Sequence, residues 1–280
     1  MKFCSFLTLY CKVKKNSNCF FLTLQYMTTE ELTPALYLIP TELSGAPTRN
    51  VIPQNNIELM GSIRYFIVEN LRTARRWIRR CIPGFSFDNV EMLELNRHTS
   101  PEEFSRMLDP LRSGNAVGLM SEAGCPAVAD PGAEIVAIAQ RERLKVVPLV
   151  GPSSILLSLM GSGFNGQSFC FHGYLPIEES ERRQMLLQLE RESERNDRTQ
   201  IFIETPYRNN RLLAFISETL MADTLVCVAC DITDPQNEEI LTMPAKKWRN
   251  CNYNFDKRPA IFLIYRGFRK GMKFAVKKRQ

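Results

Sequence analysis

The chain has 280 residues, of which 44% are apolar and 24% are charged, a composition typical of a globular protein with one large or two modest domains. No stretch has the roughly 20 consecutive apolar residues of a membrane span, so neither a transmembrane role nor a membrane partner is expected. The formal net charge of +6 favours an anionic partner.

The first 26 residues differ from the rest, because they contain no acidic residue and hold three of the nine cysteines. Lysines interrupt their apolar run and no small-residue cleavage site follows it, which argues against a secretory signal. We therefore expect residues 1–26 to be an extension outside the fold, which would begin near Met27. The other cysteines lie mostly within apolar runs, as expected of free thiols in a cytoplasmic protein.

From residue 35, short apolar runs alternate with amphipathic segments. The basic helix over 69–81 follows the second run, and a helix over 100–114 is marked by Ser100 as N-cap and by Glu103 at the capping-box position. Asp130 is expected to cap the next helix, and residues 41–56 are expected to form a loop. The predicted strands of this half are 35–40, 65–70, 89–96, 116–120 and 144–150. This alternation predicts an α/β fold with a mostly parallel sheet.

The second half begins with a segment that interrupts this rhythm, residues 168–176. A charged helix follows, then a strand and loop, a further helix and two more strands, over 177–197, 199–208, 209–220, 224–233 and 259–267. We predict an N-terminal α/β domain over 27–165, a second α/β domain over 166–267 and a basic tail over 268–280.

Several predicted strands are followed by loops rich in glycine, proline and polar residues. The loop SEAGCPAVADPG, residues 121–132, holds two glycines, two prolines and two carboxylates. Such a loop either connects two elements or brings its backbone close to a ligand. Because open α/β sheets bind ligands beyond the carboxyl ends of their strands, we expect a small-molecule crevice there. The dinucleotide, P-loop and hydrolase-elbow motifs are not found.

A metal site is not expected. The chain has two histidines, and its one CxxC, formed by Cys227 and Cys230, lies in a predicted strand. Strand side chains alternate, so the two thiols should point to opposite faces of the sheet.

Three motifs resemble the tetrapyrrole methylase superfamily. They are SEAGCPAVADPG, residues 146–176 and FIETPYR at 202–208. The likeness covers roughly residues 35–267 and is greatest for the branch that methylates a cytidine 2′-hydroxyl in small-subunit ribosomal RNA. It implies two α/β domains with S-adenosylmethionine (SAM) in the cleft between them, a homodimer, and no metal.

The resemblance also implies a set of positions in contact with SAM. They are Pro40, Glu122, Gly124, Cys125, Pro126, Val128, Ser153, Ser154, Ile203, Glu204, Cys230, Pro259 and Ala260.

The sequence departs from the RNA branch in three loops. The loop after the first strand lacks the usual proline-rich Gly-Asn pattern. Residues 69–72 read Glu-Asn-Leu-Arg instead of Glu-Asp-Thr-Arg, and residues 122–126 read Glu-Ala-Gly-Cys-Pro instead of Asp-Ala-Gly-Thr-Pro. These changes bear on the methyl acceptor more than on SAM. No catalytic base is assigned, since Glu122, Glu69 and Arg72 all remain candidates.

The basic helix points to RNA independently of the resemblance. At 100° per residue its arginines fall on one stripe, opposite an apolar face, and no acidic residue follows Glu69 in that stripe. Guanidiniums in such an arrangement bind phosphates, which predicts contact with rRNA or the small ribosomal subunit. The stripe comprises Arg72, Arg75, Arg76, Arg79 and Arg80.

Two rival functions remain open. One is methylation of a tetrapyrrole or another small molecule, which does not need the arginine stripe. The other is a protein that binds SAM or RNA without catalysis.

Overall fold

Two five-stranded sheets organise residues 32–95 and 99–267, the part of the chain that this computed structural model describes. The predicted extension, residues 1–26, and the predicted basic tail, residues 268–280, lie outside the described residues. No helix in the described part is both long and apolar enough to cross a membrane.

The first sheet is entirely parallel, as the alternating pattern predicts. Its strand order is β3-β2-β4-β1-β5, so β1 lies between β4 and β5. Its strands are β1 (Leu36–Leu38), β2 (Tyr65–Val68), β3 (Glu91–Glu94), β4 (Val117–Met120) and β5 (Val146–Pro148). All four residues of β4 are buried, as expected of a strand covered on both faces.

Within the described residues, seven helices occur in the part of the chain that contains this sheet. They are α1 (Thr48–Val51), α2 (Gln54–Ser62), α3 (Leu71–Cys81), α4 (Pro101–Arg106), α5 (Asp109–Arg112), α6 (Gly132–Arg141) and α7 (Ser154–Ser162). The expected loop over 41–56 was wrong in part, because it contains α1 and the start of α2. The single helix expected over 100–114 is two helices, because Pro110 has no N–H with which to continue the first one.

The start of α4 is the predicted capping box. The Ser100 hydroxyl accepts a hydrogen bond from the Glu103 N–H at 3.3 Å, and the Glu103 carboxylate accepts one from the Ser100 N–H at 2.7 Å. These hydrogen bonds favour the ionised carboxylate and lower the pKa of Glu103.

Removal of this cap should lower stability without affecting a binding site. We expect Ser100→Ala to lower the free energy of unfolding by about 1 kcal/mol, measured by urea denaturation. Ser100→Asp keeps an acceptor at the cap and should restore most of that loss. Equal stability of the alanine variant and the unmodified protein would show that the box contributes nothing.

The second sheet is mixed rather than parallel. Its order is β6-β7-β10-β8-β9, with β6 and β7 parallel and the remaining pairs antiparallel. Its strands are β6 (Phe169–Tyr174), β7 (Thr199–Ile203), β8 (Leu225–Cys230), β9 (Glu239–Pro244) and β10 (Ala260–Tyr265). The edge strand β9 was missed from sequence, because all of its residues are half-buried and no alternation marks it.

Helices cover this sheet as well. They are α8 (Glu179–Asn196), α9 (Asn209–Thr219) and α10 (Ala245–Trp248), with a 3-10 turn at Pro206–Arg208. The two thiols of the CxxC point to opposite faces as predicted, Cys230 into the core with Phe202 and Cys227 into the core with Leu159 of α7. Within the described residues no three potential ligating side chains form a metal site.

Helix α7 links the two sheets, since it follows the last strand of the first sheet and packs on the second. A Cβ at Gly161 would lie 2.6 Å from Cδ1 of Ile240, and the Thr242 hydroxyl donates to the Ser162 carbonyl at 2.9 Å. The end of α7 is therefore fixed on the second sheet.

Candidate functional site

The loops that follow β1, β4 and β5 meet at the carboxyl edge of the first sheet. The Thr41 N–H donates to the Gly124 carbonyl at 2.9 Å, which joins the first loop to the second. The Cys125 thiol donates to the Pro152 carbonyl at 3.4 Å, which joins the second loop to the third. The structure thus brings together the first-sheet positions that the resemblance implied.

Two glycines are needed for this close approach. A Cβ on Gly151 would lie 2.2 Å from Cγ of Pro40, a distance that no side chain tolerates. Gly124 has φ +74°, and a Cβ there would also lie 3.0 Å from Cδ2 of Leu43. The backbone at each of these glycines is therefore packed against a side chain of the segment that follows β1.

The loop after β4 also carries left-handed residues that are not glycine. Ala127 and Ala129 have φ of 66° and 60°, a conformation that costs free energy and that is concentrated at functional sites. The Asp130 carboxylate stabilises the loop, because it accepts the Ala127 N–H at 2.9 Å and the Gly132 N–H at 2.7 Å. The expected N-cap role of Asp130 was wrong by one residue, since Pro131 is the N-cap of α6.

Burial raises the pKa of Asp130, and the negative charge of Glu69 raises it further, while its two backbone hydrogen bonds oppose the shift. The strained loop thus holds an acidic group whose charge is costly. Strain and an unfavourable charge in one loop are typical of a binding site rather than of a simple connection.

The positions implied in the second sheet also converge. In the sheet register, Ile203 is next to Ile261 and Cys230 is opposite Ala260, while the Asp231 N–H donates to the Pro259 carbonyl at 2.9 Å. Because β10 runs antiparallel to β7 and β8, its first residues lie beside their carboxyl ends. One end of the second sheet therefore gathers all of these positions.

Side chains at several implied positions are already engaged. Cys230 is fully buried, and burial raises the pKa of its thiol to about 12, so only its backbone can meet a ligand. The Glu204 carboxylate binds Arg208 at 2.6 Å, and the Ser153 hydroxyl caps α7 by accepting the Leu156 N–H at 3.5 Å. These residues can shape the site, but their side chains are held within the fold.

The segment 41–46 joins the two sheets, a contact that sequence reasoning missed. The Ser44 hydroxyl donates to the Ile232 carbonyl at 2.6 Å, and Leu43 packs against the core between α7 and the second sheet. The ends of β1 and β8 are thereby held close to each other. No periodic signal in a polar loop of this kind marks such a contact.

Helix α3 has the predicted two faces. Its arginines, Arg72, Arg75, Arg76, Arg79 and Arg80, are all exposed, while Trp77 and Ile78 are buried. The guanidiniums of Arg75 and Arg79 lie 5.7 and 5.1 Å from the ring centre of Phe87. Arg80 forms an ion pair with Glu42, so an acidic residue from the loop after β1 reaches the stripe, a contact that helical periodicity alone does not indicate.

Two carboxylates connect α3 to the loop after β4. The Glu69 carboxylate accepts the Glu122 N–H at 3.0 Å, and the Glu122 carboxylate accepts the Thr73 hydroxyl at 3.3 Å. Asn70, which stands where the RNA branch has aspartate, still caps α3 by accepting the Arg72 and Thr73 N–H groups. Glu69 therefore holds the loop, whereas the Glu122 side chain is exposed beside the arginine face.

A solved structure shares this fold. The chain matches the solved structure of the methyltransferase CobJ with a TM-score of 0.52 and 14% identity, over 77% of this chain and 88% of that one. The tetrapyrrole methylase fold predicted from the three motifs is thereby confirmed. No protein-family model matches the chain.

Proteins related in sequence have more specific names than this solved structure. Over 84% of its length the chain is 29% identical to Ribosomal RNA small subunit methyltransferase I of Vibrio cholerae serotype O1, covering 78% of that protein. It is 26% identical over 85% of its length to the protein of the same name from Buchnera aphidicola subsp. Schizaphis graminum, covering 80% of it. The methyltransferase class, and hence the need for a methyl donor, agree with the prediction from sequence.

Proposed function

We propose that the chain is a SAM-dependent methyltransferase that modifies a ribose 2′-hydroxyl of small-subunit rRNA. The observation that carries this proposal is the hydrogen bond between Glu122 and Thr73. It places the strained loop after β4, a candidate cofactor loop, directly against the arginine face of α3. Small-subunit rRNA is proposed because the relatives at 26–29% identity are named for it.

The residues present fit SAM. The strand-end loops approach one another so closely that only glycine fits at position 151, beside Pro40. Val128 and Val150 are 48% and 76% exposed, and such apolar side chains on cleft loops suit an adenine ring. The backbones at Ile203, Cys230 and Ala260 lie at one end of the second sheet, across the segment 41–46.

SAM, when bound, supplies a methyl group that is already activated on a sulfonium. The work left for this chain is to align the acceptor hydroxyl with that methyl group and to exclude water. The loop after β4 suits this task because Asp130 and Glu69 fix its two ends through backbone hydrogen bonds.

The ribose hydroxyl must also lose a proton. We propose Glu122 as the group that accepts it, since its side chain is exposed and its only described partner is a hydroxyl. Glu69 is the weaker candidate, because its carboxylate holds the Glu122 backbone. Arg72 would then bind phosphate and take no part in the proton transfer.

We also propose that the protein works as a homodimer in the cytoplasm. Two large apolar side chains on α7, Leu156 and Met160, are exposed. Leu156 and Met160 are four residues apart and so share a helix face, which a second copy would cover.

Methyl transfer from radiolabelled SAM tests the proposal. The purified protein is incubated with small ribosomal subunits, with deproteinised small-subunit rRNA and with a porphyrinogen. We expect label in RNA at a linkage that resists alkaline cleavage, since a 2′-O-methyl group blocks that reaction. Label only in the porphyrinogen would favour methylation of a tetrapyrrole instead. SAM binding without transfer to any RNA would favour a protein that binds SAM or RNA without catalysis.

A further inference from the structure

A cavity of about 250 Å³ lies between α3 and the loops that follow β1 and β4. Arg76, Trp77 and Arg80 line it on the helix side. Thr41, Ser121 and Glu122 line it on the loop side, together with neighbouring residues of these elements. The cavity therefore sits where the candidate cofactor loop meets the arginine face.

The size of the cavity limits its occupant. Sites for drug-sized ligands usually measure about 300–1,000 Å³, so this one suits neither a tetrapyrrole nor a complete SAM molecule. It suits a single small unit, such as one nucleotide of a longer chain that continues over the surface.

Most polar groups around the cavity already have partners. The Thr41 hydroxyl donates to the Ser121 carbonyl at 3.4 Å, the Ser121 hydroxyl donates to the Ala123 carbonyl at 3.3 Å, and Arg80 pairs with Glu42. The Glu122 carboxylate accepts a hydrogen bond from the Thr73 hydroxyl.

Two side chains that can donate hydrogen bonds, both on the helix side of the cavity, have no hydrogen-bond partner among the described residues. Trp77 is only 7% exposed, yet its indole Nε1 has no hydrogen-bond partner among the described residues. Buried donors are almost always paired, so this one indicates an acceptor supplied by a ligand or by water. Arg76 forms no ion pair within the described part of the chain, and its guanidinium offers a charged fork to a phosphate.

We propose that this cavity binds one nucleotide of the RNA substrate, with its phosphate on Arg76 and its sugar or base against Trp77. The inference rests on the proposed function, because it identifies which part of the RNA approaches the loop after β4. A nucleotide fits the chemistry because it combines an anion with neutral acceptors and a ring that stacks on aromatic and guanidinium planes. Arg75 and Arg79, which stack on Phe87 on the other flank of α3, then bind the neighbouring backbone.

Tryptophan fluorescence gives a direct test. The chain has two tryptophans, and Trp248 lies in the core of the second sheet. We expect the four nucleoside 5′-monophosphates to quench the unmodified protein in a saturable manner, and Trp77→Phe to abolish the quenching. Arg76→Ala should weaken binding by about tenfold or more, as loss of a hydrogen bond to a charged group does. Arg141→Ala removes the same charge from the exposed surface of α6 and should change the affinity by less than about twofold.

Three outcomes of the fluorescence test would overturn the inference. The first is quenching that survives Trp77→Phe, and the second is an equal loss of affinity in Arg76→Ala and Arg141→Ala. The third is inorganic phosphate that binds as tightly as the nucleotides. The methyl-transfer assay distinguishes failure of this inference from failure of the proposed function. If RNA is methylated but Arg76→Ala leaves the KM for RNA unchanged, the inference fails and the proposed function stands. If RNA is not methylated at all, the proposed function fails as well.

Discussion

Gly151→Ala is expected to weaken methyl-donor binding and to destabilise the fold. The new Cβ would lie 2.2 Å from Cγ of Pro40 and 2.3 Å from its Cβ, so the loops after β1 and β5 must separate. Overpacking of this kind costs about 1–3 kcal/mol of stability. Because the same loops form the candidate cofactor cleft, we expect SAM affinity, measured by calorimetry, to fall by at least about tenfold, the equivalent of 1.4 kcal/mol.

Gly166→Ala is the matched control for this prediction. A Cβ at Gly166 meets no atom within 4 Å, so the same chemical change should leave both stability and SAM affinity close to those of the unmodified protein. Normal SAM affinity in folded Gly151→Ala would show that the cofactor binds away from the Pro40 edge.

Replacement of Arg75, Arg76 and Arg79 by alanine is expected to weaken RNA binding strongly and to leave SAM affinity unchanged. All three side chains are exposed, so the fold should survive their loss. Each phosphate contact with single-stranded RNA contributes about 0.7 to the slope of log affinity against log salt, so the slope should fall by about 2. Retention on heparin should fall in parallel.

The matched control removes three equally exposed arginines from other surfaces, Arg141 of α6 and Arg191 and Arg195 of α8. The change in net charge is identical, so any effect of overall charge on RNA binding appears in both variants. If the two triple variants bind RNA alike, the face of α3 has no special role.

Local chemistry made much of the fold predictable. The reciprocal hydrogen bonds of Ser100 and Glu103 fix the start of α4, and the alternation of buried strands with helices indicates the parallel sheet. The second sheet was harder to predict, because antiparallel pairing of β10 with β7 and β8 is set by contacts between segments that are far apart in sequence. The edge strand β9 has no alternating pattern that predicts it.

The candidate site was likewise predictable only in part. The exposed arginine face of α3 follows from helical periodicity, whereas the Arg80–Glu42 ion pair depends on where the loop after β1 folds. The Ser44 contact with Ile232 joins residues 188 positions apart, so no local pattern predicts it. The buried side chain of Cys230 likewise follows from strand pairing, which leaves its backbone as the part that can face a ligand.

The most direct test of the proposed function is mass spectrometry of rRNA nucleosides from cells with and without this gene. Loss of one 2′-O-methylated nucleoside from small-subunit rRNA is the expected result. The intact gene should restore it, and the Gly151→Ala gene should not. An unchanged nucleoside profile in cells without the gene would contradict the account and would direct attention to small-molecule acceptors.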